Sequence, residues 1–224
     1  MQPMISTIAT HYLFISVNSY LVQNGTGFFL VDTGLAQDWP TFARGLEAAG
    51  CKPGDLRLMV LTHGDTDHSG NAARLKSLYG AKIAMHPGDR VAVQTGDMFA
   101  EKRVSPAAKA IARAFFAVTG MNRFDTFSPD VELEDMQDLS PYGLDARVIC
   151  LPGHSRGSIG ILLADGILFC GDLLENTRHP VVNSLGEDRG LMHASAAKLK
   201  DLGIEMVYPG HGLPFPFNEL VLNS

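Results

Sequence analysis

The sequence predicts an α/β chain in which β-sheets are covered by helices, and three observations carry that expectation. Short β-rich runs alternate with stretches of helical spacing in both halves of the chain. An apolar fraction of 46% with 19% charged residues suits a chain of 224 residues that buries a sizeable core. Linkers, low-complexity tracts and short repeats are absent, so 1–224 reads as one domain carrying an insertion.

The elements follow in order. Runs 12–17, 19–23 and 27–31 are β-rich and separated by Asn/Gly turn signals, which predicts three strands, and Asp32-Thr33-Gly34 stops the third. Over 39–49, Trp39, Phe42, Leu46 and Ala49 recur at helical spacing, with Gly50 as the C-cap. LRLMVL (56–61) reads as a buried strand running directly into Thr62-His63. A helix over 69–79, ended by Gly80, and a strand over 81–85 come next.

Between Pro87 and Pro141 strand signals are few, so 87–140 reads as a mostly helical insertion. Within it, 106–119 has Ala107, Ala110, Ile111, Ala114, Phe115 and Val118 at helical spacing. Its Ile111-Phe115-Phe116-Val118 stripe reads as core packing, with a lid or a homodimer contact as the sharper alternative. Strands resume over 146–151, 159–163 and 166–169. Ala164-Asp165-Gly166 joins the last two as a hairpin, since Asp-Gly suits a tight turn. A helix over 191–202 and a strand over 204–208 complete the pattern.

A net charge of −6 without any Lys/Arg block argues against a phosphate-backbone binder, so no nucleic-acid partner is expected. The N-terminal stretch lacks the basic segment and unbroken apolar core of an export signal, and no run of about 18 apolar residues occurs. The expectation is a cytoplasmic protein with no membrane partner and a small-molecule substrate. Cys51, Cys150 and Cys170 form no CxxC pair and read as free thiols, the last two buried and inert in apolar runs.

Chemistry concentrates in four segments. His63, Asp65, Asp67 and His68 stand in LTHGDTDHSGN, His154 in LPGHSRGS, Asp172 in LFCGDLL and His211 in VYPGHGLP. Each marks a point where an apolar run meets a Gly-containing turn, the usual place for functional side chains to be displayed. Imidazoles and carboxylates gathered at several strand ends are the ingredients of a metal site with mixed nitrogen and oxygen ligands.

In that order, with VDTG at Asp32 upstream, THGDTDHSG, PGHSRGS, CGD and PGHG resemble the metallo-β-lactamase-fold hydrolase superfamily. The resemblance implies an αββα sandwich: two mixed sheets face to face, helices outside, metals at one edge. It implies two divalent metal ions. The first would be held by His63, position 65 and His154; the second by Asp67, His68 and His211; Asp172 would bridge them. Asp32 would lie beneath the site and orient ligands. The activity implied is hydrolysis by a metal-bound hydroxide, with Asp67 as the catalytic group that orients or deprotonates the nucleophile.

One position departs from the family pattern, which is commonly H-x-H-x-D-H and here reads H-x-D-x-D-H. An extended segment would put 63, 65 and 67 on one side, so Asp65 could still reach the first metal. Alternatively, Asp65 hydrogen-bonds a neighbour and leaves the first site weak or empty. A third carboxylate would favour iron or manganese relative to zinc, the family's usual metal, and an easily cleaved ester, thioester or lactone over an unactivated amide. A carboxylate here also resembles the flavodiiron branch, which makes a diiron redox or oxygen-reactive protein the rival reading, although no flavodoxin-like domain is seen. The short stretch after His211 disfavours a glyoxalase II-like enzyme with its extra helical domain. Asp65 and the missing export signal disfavour a β-lactamase.

Among other residues, His86, His179, Tyr20 and Arg178 are candidates for the pocket rim or substrate contact, and Arg156 and Ser158 for support of the His154 loop.

Overall fold

The structure, a computed structural model, describes residues 3–102 and 104–221. Residues 1, 2, 103 and 222–224 of the expected domain lie outside these. Six strands make the first sheet: β1 (Met4–Tyr12), β2 (Ile15–Asn24), β3 (Gly27–Val31), β4 (Leu56–Leu61), β5 (Lys82–Met85) and β6 (Val131–Glu132), adjacent in that order. The second sheet comprises β7 (Ala146–Cys150), β8 (Ile159–Leu163), β9 (Ile167–Asn176), β11 (Met206–Gly212) and β12 (Phe215–Pro216), with β10 (Val181–Val182) pairing β9 at one end.

Helices flank both sheets. They are α1 (Trp39–Ala48), α2 (Thr66–Ser69), α3 (Ala72–Tyr79), α4 (Arg90–Thr95), α5 (Pro106–Thr119) and α6 (Arg189–Lys198). This is the expected four-layer αββα arrangement.

Period-2 alternation explains the layering. On β3 and β4, Phe28, Leu30, Met59 and Leu61 face outward to Phe42 and Leu46 of α1 and Ala72 and Leu75 of α3. Their neighbours Phe29, Val31, Leu58 and Val60 face inward and meet Val148, Ile161 and Phe169 of the second sheet. A strand covered on both faces has no reason to alternate polar and apolar residues, which is why LRLMVL is nearly all apolar. On the far side, Met192, Ala196 and Leu199 cover Ile149, Leu168 and Val207. Each fully buried Phe or Leu contributes roughly 1.5–3 kcal/mol.

Chain direction sets where the site falls. Strands β3, β4 and β5 run parallel, as do β9 and β11, so several C-terminal strand ends gather along one edge of the sandwich. The edge beyond the carboxyl ends of parallel strands is where side chains from successive loops converge.

Several local expectations need correction. The first strand begins at Met4, because Ile5 to Thr10 pair with Val22 back to Val17 in a long antiparallel register that the polar residues of β1 obscure. Asp172 and His211 lie inside β9 and β11 rather than in loops after them; register shifts on either side of Pro209 turn His211 toward the edge. Asp67 and His68 sit on the short helix α2, with Asp65 at its N-cap, so 63, 65 and 67 do not form an extended alternating run.

The apolar stripe on α5 is not core. Ile111 is 73% exposed and Val118 88%, and no residue of that helix is buried. Helix α5 rides on the rim of the cleft, where Ala112 and Phe116 line the opening. All three cysteines are free, but Cys150 is only half-buried. No helix among the described residues is long and apolar enough to cross a membrane.

Candidate metal centre

Seven side chains converge at the sandwich edge. His63 follows β4, Asp65 caps α2, Asp67 and His68 stand on α2, His154 belongs to the β7–β8 loop, and Asp172 and His211 to adjacent strands. Their potential ligand atoms fall into three overlapping trios, each within 4.8 Å: His63, Asp65 and His154; His63, His68 and Asp172; Asp67, His68 and His211. Asp172 lies between the outer two. Its Oδ1 is 3.1 Å from His68 Nε2, and its Oδ2 is 3.2 Å from His211 Nε2 and 3.9 Å from His154 Nε2.

The four imidazoles share one arrangement. Nδ1 of His154 is 2.9 Å from the Leu185 carbonyl, and Nδ1 of His211 is 2.7 Å from the Ser16 carbonyl. A carbonyl can only accept, so Nδ1 carries the proton and Nε2 keeps a lone pair when the ring is neutral. His68 Nδ1 is 2.8 Å from Asp32 Oδ2, and Thr62 Oγ1, whose own proton goes to Asp32, lies 3.0 Å from His63 Nδ1. All four Nε2 atoms therefore point inward, each with a lone pair to offer when its ring is neutral; when protonated, His154 donates from Nε2 to Asp65 Oδ2 at 3.1 Å. His63 Nε2, His68 Nε2 and Asp172 Oδ1 are buried without any hydrogen-bond partner. Orphaned acceptors facing each other are costly unless a cation lies among them. The residues present fit a pair of metal ions.

Beneath this layer, Asp32 is buried in the left-handed region at φ 60° and accepts from the Thr62 amide at 2.7 Å and the Thr62 hydroxyl at 2.8 Å, besides facing His68. It lies beneath the ligand layer, as the family resemblance implies. Gly210 brings β11 close: a Cβ there would stand 2.4 Å from Asp172 Oδ1 and 2.6 Å from His68 Cε1.

Charge is distributed unevenly. Burial and the neighbouring His68 and His154 rings hold the His63 imidazole well below its usual range. Burial also disfavours charge on His68 and His211, but the Asp172 carboxylate outweighs it, raising His68 well above normal and His211 to about 9. Burial would likewise lower His154, yet its hydrogen bond to Asp65 raises it. Burial raises the Asp67 carboxyl, helped by nearby Asp172 and opposed by His68. For Asp172, burial is outweighed by His211 and His68, which hold it well below the carboxylate range.

Two residues escaped the sequence reading. Lys102, from the segment between α4 and α5, donates to Asp65 Oδ2 at 2.6 Å. This ammonium overcomes burial and holds Asp65 well below the usual carboxylate range. The second is Asp89, buried just after β5. It accepts from the Gly64 amide at 3.0 Å, the Gly157 amide at 3.0 Å and the Ser155 hydroxyl at 2.6 Å, tying the His63 loop to the His154 loop. Neither belongs to a motif; the one signal for Lys102 is the third carboxylate that needs a counter-charge.

The other candidates fare differently. Ser158 accepts from the Ser155 amide at 3.0 Å and supports the His154 loop, whereas Arg156 is exposed. Tyr20 is buried and donates to the Pro209 carbonyl at 2.6 Å, so it anchors β11 and does not line the cleft. His86 accepts from the Gly88 amide in its own turn, and Arg178 and His179 are exposed.

A cleft of about 820 Å³ opens over the centre. Asp65, Asp67, His154, Asp172 and His211 form its floor, and Phe14, Met98, Phe99, Val104, Phe116 and Leu185 supply apolar walls.

The fold and site together are an αββα sandwich with His/Asp clusters, suited to a dinuclear metal site, at one sheet edge. Residues 13–211 match the Metallo-beta-lactamase superfamily, and the chain belongs to that family.

Among curated relatives, it is 26% identical over 199 residues to the beta-lactamase-like protein 2 homolog of Drosophila melanogaster, covering 87% of this chain and 58% of that protein. It is 29% identical over 206 residues to hydroxyacylglutathione hydrolase of Anaeromyxobacter dehalogenans, covering 88% and 62%. The chain thus spans about three-fifths of the length of these two relatives. Among solved structures, a metallo-beta-lactamase family protein from Thermus thermophilus superposes with a TM-score of 0.73 at 25% identity, covering 96% of this chain and 76% of that one. TTHA1623, solved in a di-iron-bound form, gives 0.68 at 26% identity and 94% coverage of both chains.

Proposed function

We propose that this protein hydrolyses a small ester, thioester or lactone whose acyl part is apolar, using two divalent metal ions held by His63, Asp65 and His154 on one side and Asp67, His68 and His211 on the other, with Asp172 between. The observation that carries the reading is the set of inward-facing Nε2 atoms, each fixed by a partner on Nδ1. Divalent ions held there would supply a bound water of near-neutral pKa and a Lewis acid for the scissile carbonyl.

The chain's own residues supply the rest. Asp67 is half-buried on the cleft side, 3.6 Å from His211 Nε2, placed to orient the attacking water and accept its proton. Thr62, Leu185, Ser16 and Asp32 keep the imidazoles in the ligating tautomer. Phe14, Phe99, Phe116 and Leu185 offer an acyl group an apolar wall next to the reacting carbonyl. Hydroxyacylglutathione hydrolase, a relative by sequence, bears the name of a thioester substrate, which keeps thioesters in the class.

Zinc is the metal proposed first. The preference for iron or manganese drawn from a third carboxylate weakens once Lys102 is counted, because three carboxylates and one ammonium carry the net charge of two carboxylates. The di-iron form of TTHA1623 keeps iron, and with it the redox reading, as the second alternative.

The test is a panel of p-nitrophenyl esters of increasing acyl length, a glutathione thioester, a lactone and a phosphodiester, assayed with zinc-, manganese- and iron-loaded protein. Cleavage of esters, thioesters or lactones that strengthens with acyl length is expected. A loaded protein that cleaves none of them, or a stoichiometric diiron protein with charge-transfer bands and no hydrolysis, would overturn the proposal.

A further inference from the structure

Lys102 is carried to the centre by a well-built segment. Asp97 pairs with Arg113 of α5 at 2.6 Å, and Lys109 Nζ donates to the Ala100 carbonyl at 3.2 Å. Phe99 meets Phe116 edge-on at 5.3 Å, and the Lys102 ammonium lies 5.9 Å from the Phe99 ring centroid. These contacts bind the segment to the insertion helix and direct the lysine inward, where its side chain is only 13% exposed.

The ammonium sits on a telling atom. Asp65 Oδ2, its acceptor at 2.6 Å, is also 3.1 Å from His154 Nε2 and 3.8 Å from His63 Nε2. It is the oxygen that the first trio offers to an ion. The second trio has no such competitor: among the described residues, the ion-pair partners of Asp67 and Asp172 are histidines alone.

We propose that Lys102 shares Asp65 Oδ2 with the metal ion of the first trio, so that the His63–Asp65–His154 site fills second and weakly while the Asp67–His68–His211 site binds tightly. The inference rests on the dinuclear reading above. Two effects act in the same direction. A charge-assisted hydrogen bond draws electron density from the donor oxygen. A fixed positive charge beside that oxygen also repels an incoming cation, and burial screens the repulsion poorly. Lys102 is thus a positioning residue: it holds Asp65 Oδ2 in place beside the centre, at the expense of affinity. Because the segment between α4 and α5 carries both the lysine and Phe99 of the cleft wall, loading of the first site and placement of that wall are coupled.

Zinc titration of the metal-stripped full chain against a chromophoric chelator tests this without reference to activity. Wild type is expected to show two binding events separated by tenfold or more in affinity, with His154→Ala removing only the weaker. Lys102→Met is expected to tighten the weaker event at least tenfold and leave the tighter one unchanged, which also reports an intact fold. Lys102→Arg, which keeps the charge, should retain the gap. If Lys102→Met leaves the weaker event unchanged or weakens it while both ions still bind, the proposal is overturned and the dinuclear reading survives. If neither wild type nor Lys102→Met takes a second ion, the dinuclear reading fails and the proposal fails with it.

Discussion

Replacing Asp89 with alanine should unclasp the two loops that carry His63 and His154. The carboxylate is 8% exposed and serves three donors: the Gly64 and Gly157 amides and the Ser155 hydroxyl. Ser155 retains a partner, since its Oγ lies 2.8 Å from Ser158 Oγ. The two amides do not, and each hydrogen bond to a charged acceptor is worth about 1.5–3 kcal/mol. Repacking cannot close the gap cheaply. A Cβ on Gly157 would already come within 2.7 Å of Asp89 Cγ, and one on Gly64 within 3.0 Å of its Cβ, so the carboxylate is wedged between two backbones. Asp89→Ala should therefore cost ~3–5 kcal/mol.

Asp89→Asn is the graded control. With its oxygen toward Gly64 and Ser155, the amide nitrogen opposes the Gly157 N–H, so roughly half the loss is expected. Urea unfolding of the metal-stripped variants measures both effects. With a slope of about 2 kcal/mol per molar, Asp89→Ala should lower the midpoint by ~1.5–2.5 M without changing the slope. A loss under ~1 kcal/mol for Asp89→Ala, or equal losses for the two variants, would refute the clasp.

Three further outcomes follow from the same contacts. Gly210→Ala should abolish metal retention, measured by elemental analysis after desalting, because its methyl group would occupy space against Asp172 and His68; retention of both metals would show that β11 can retreat. Tyr20→Phe removes the buried hydrogen bond to the Pro209 carbonyl and should cost ~1–3 kcal/mol in urea unfolding while keeping the metals. Phe116→Ala, at the cleft wall, should raise KM for long-chain p-nitrophenyl esters and leave acetate hydrolysis nearly unchanged; equal changes for both would mean that the acyl group lies elsewhere.

The sequence made the layers and most of the centre legible because both depend on local pattern. LRLMVL declares a strand buried on both faces, and the β4 boundaries match it. The helix from Pro106 to Thr119 is bounded as expected because proline opens it and Gly120, in the left-handed conformation, closes it. What stayed hidden depends on partners distant in the chain. The β1 register rests on pairing with β2, and the exposure of Ile111 and Val118 on which elements fail to cover α5. Asp172 and His211 were recognisable as residues but misplaced as loop positions, since a long parallel β9–β11 pairing carries both strands past their glycines. Asp89 lies 25 residues from Gly64 and 66 from Ser155, and Lys102 lies 37 from Asp65, separations that no local motif records.

The central claim is a two-metal centre built from these seven side chains, and counting metals at each trio tests it most directly. Anomalous diffraction from zinc-loaded crystals should show two peaks, one among His63, Asp65 and His154 and one among Asp67, His68 and His211, with Asp172 contacting both. A single peak, or none at this sheet edge with the lysine still seated on Asp65, would contradict the account.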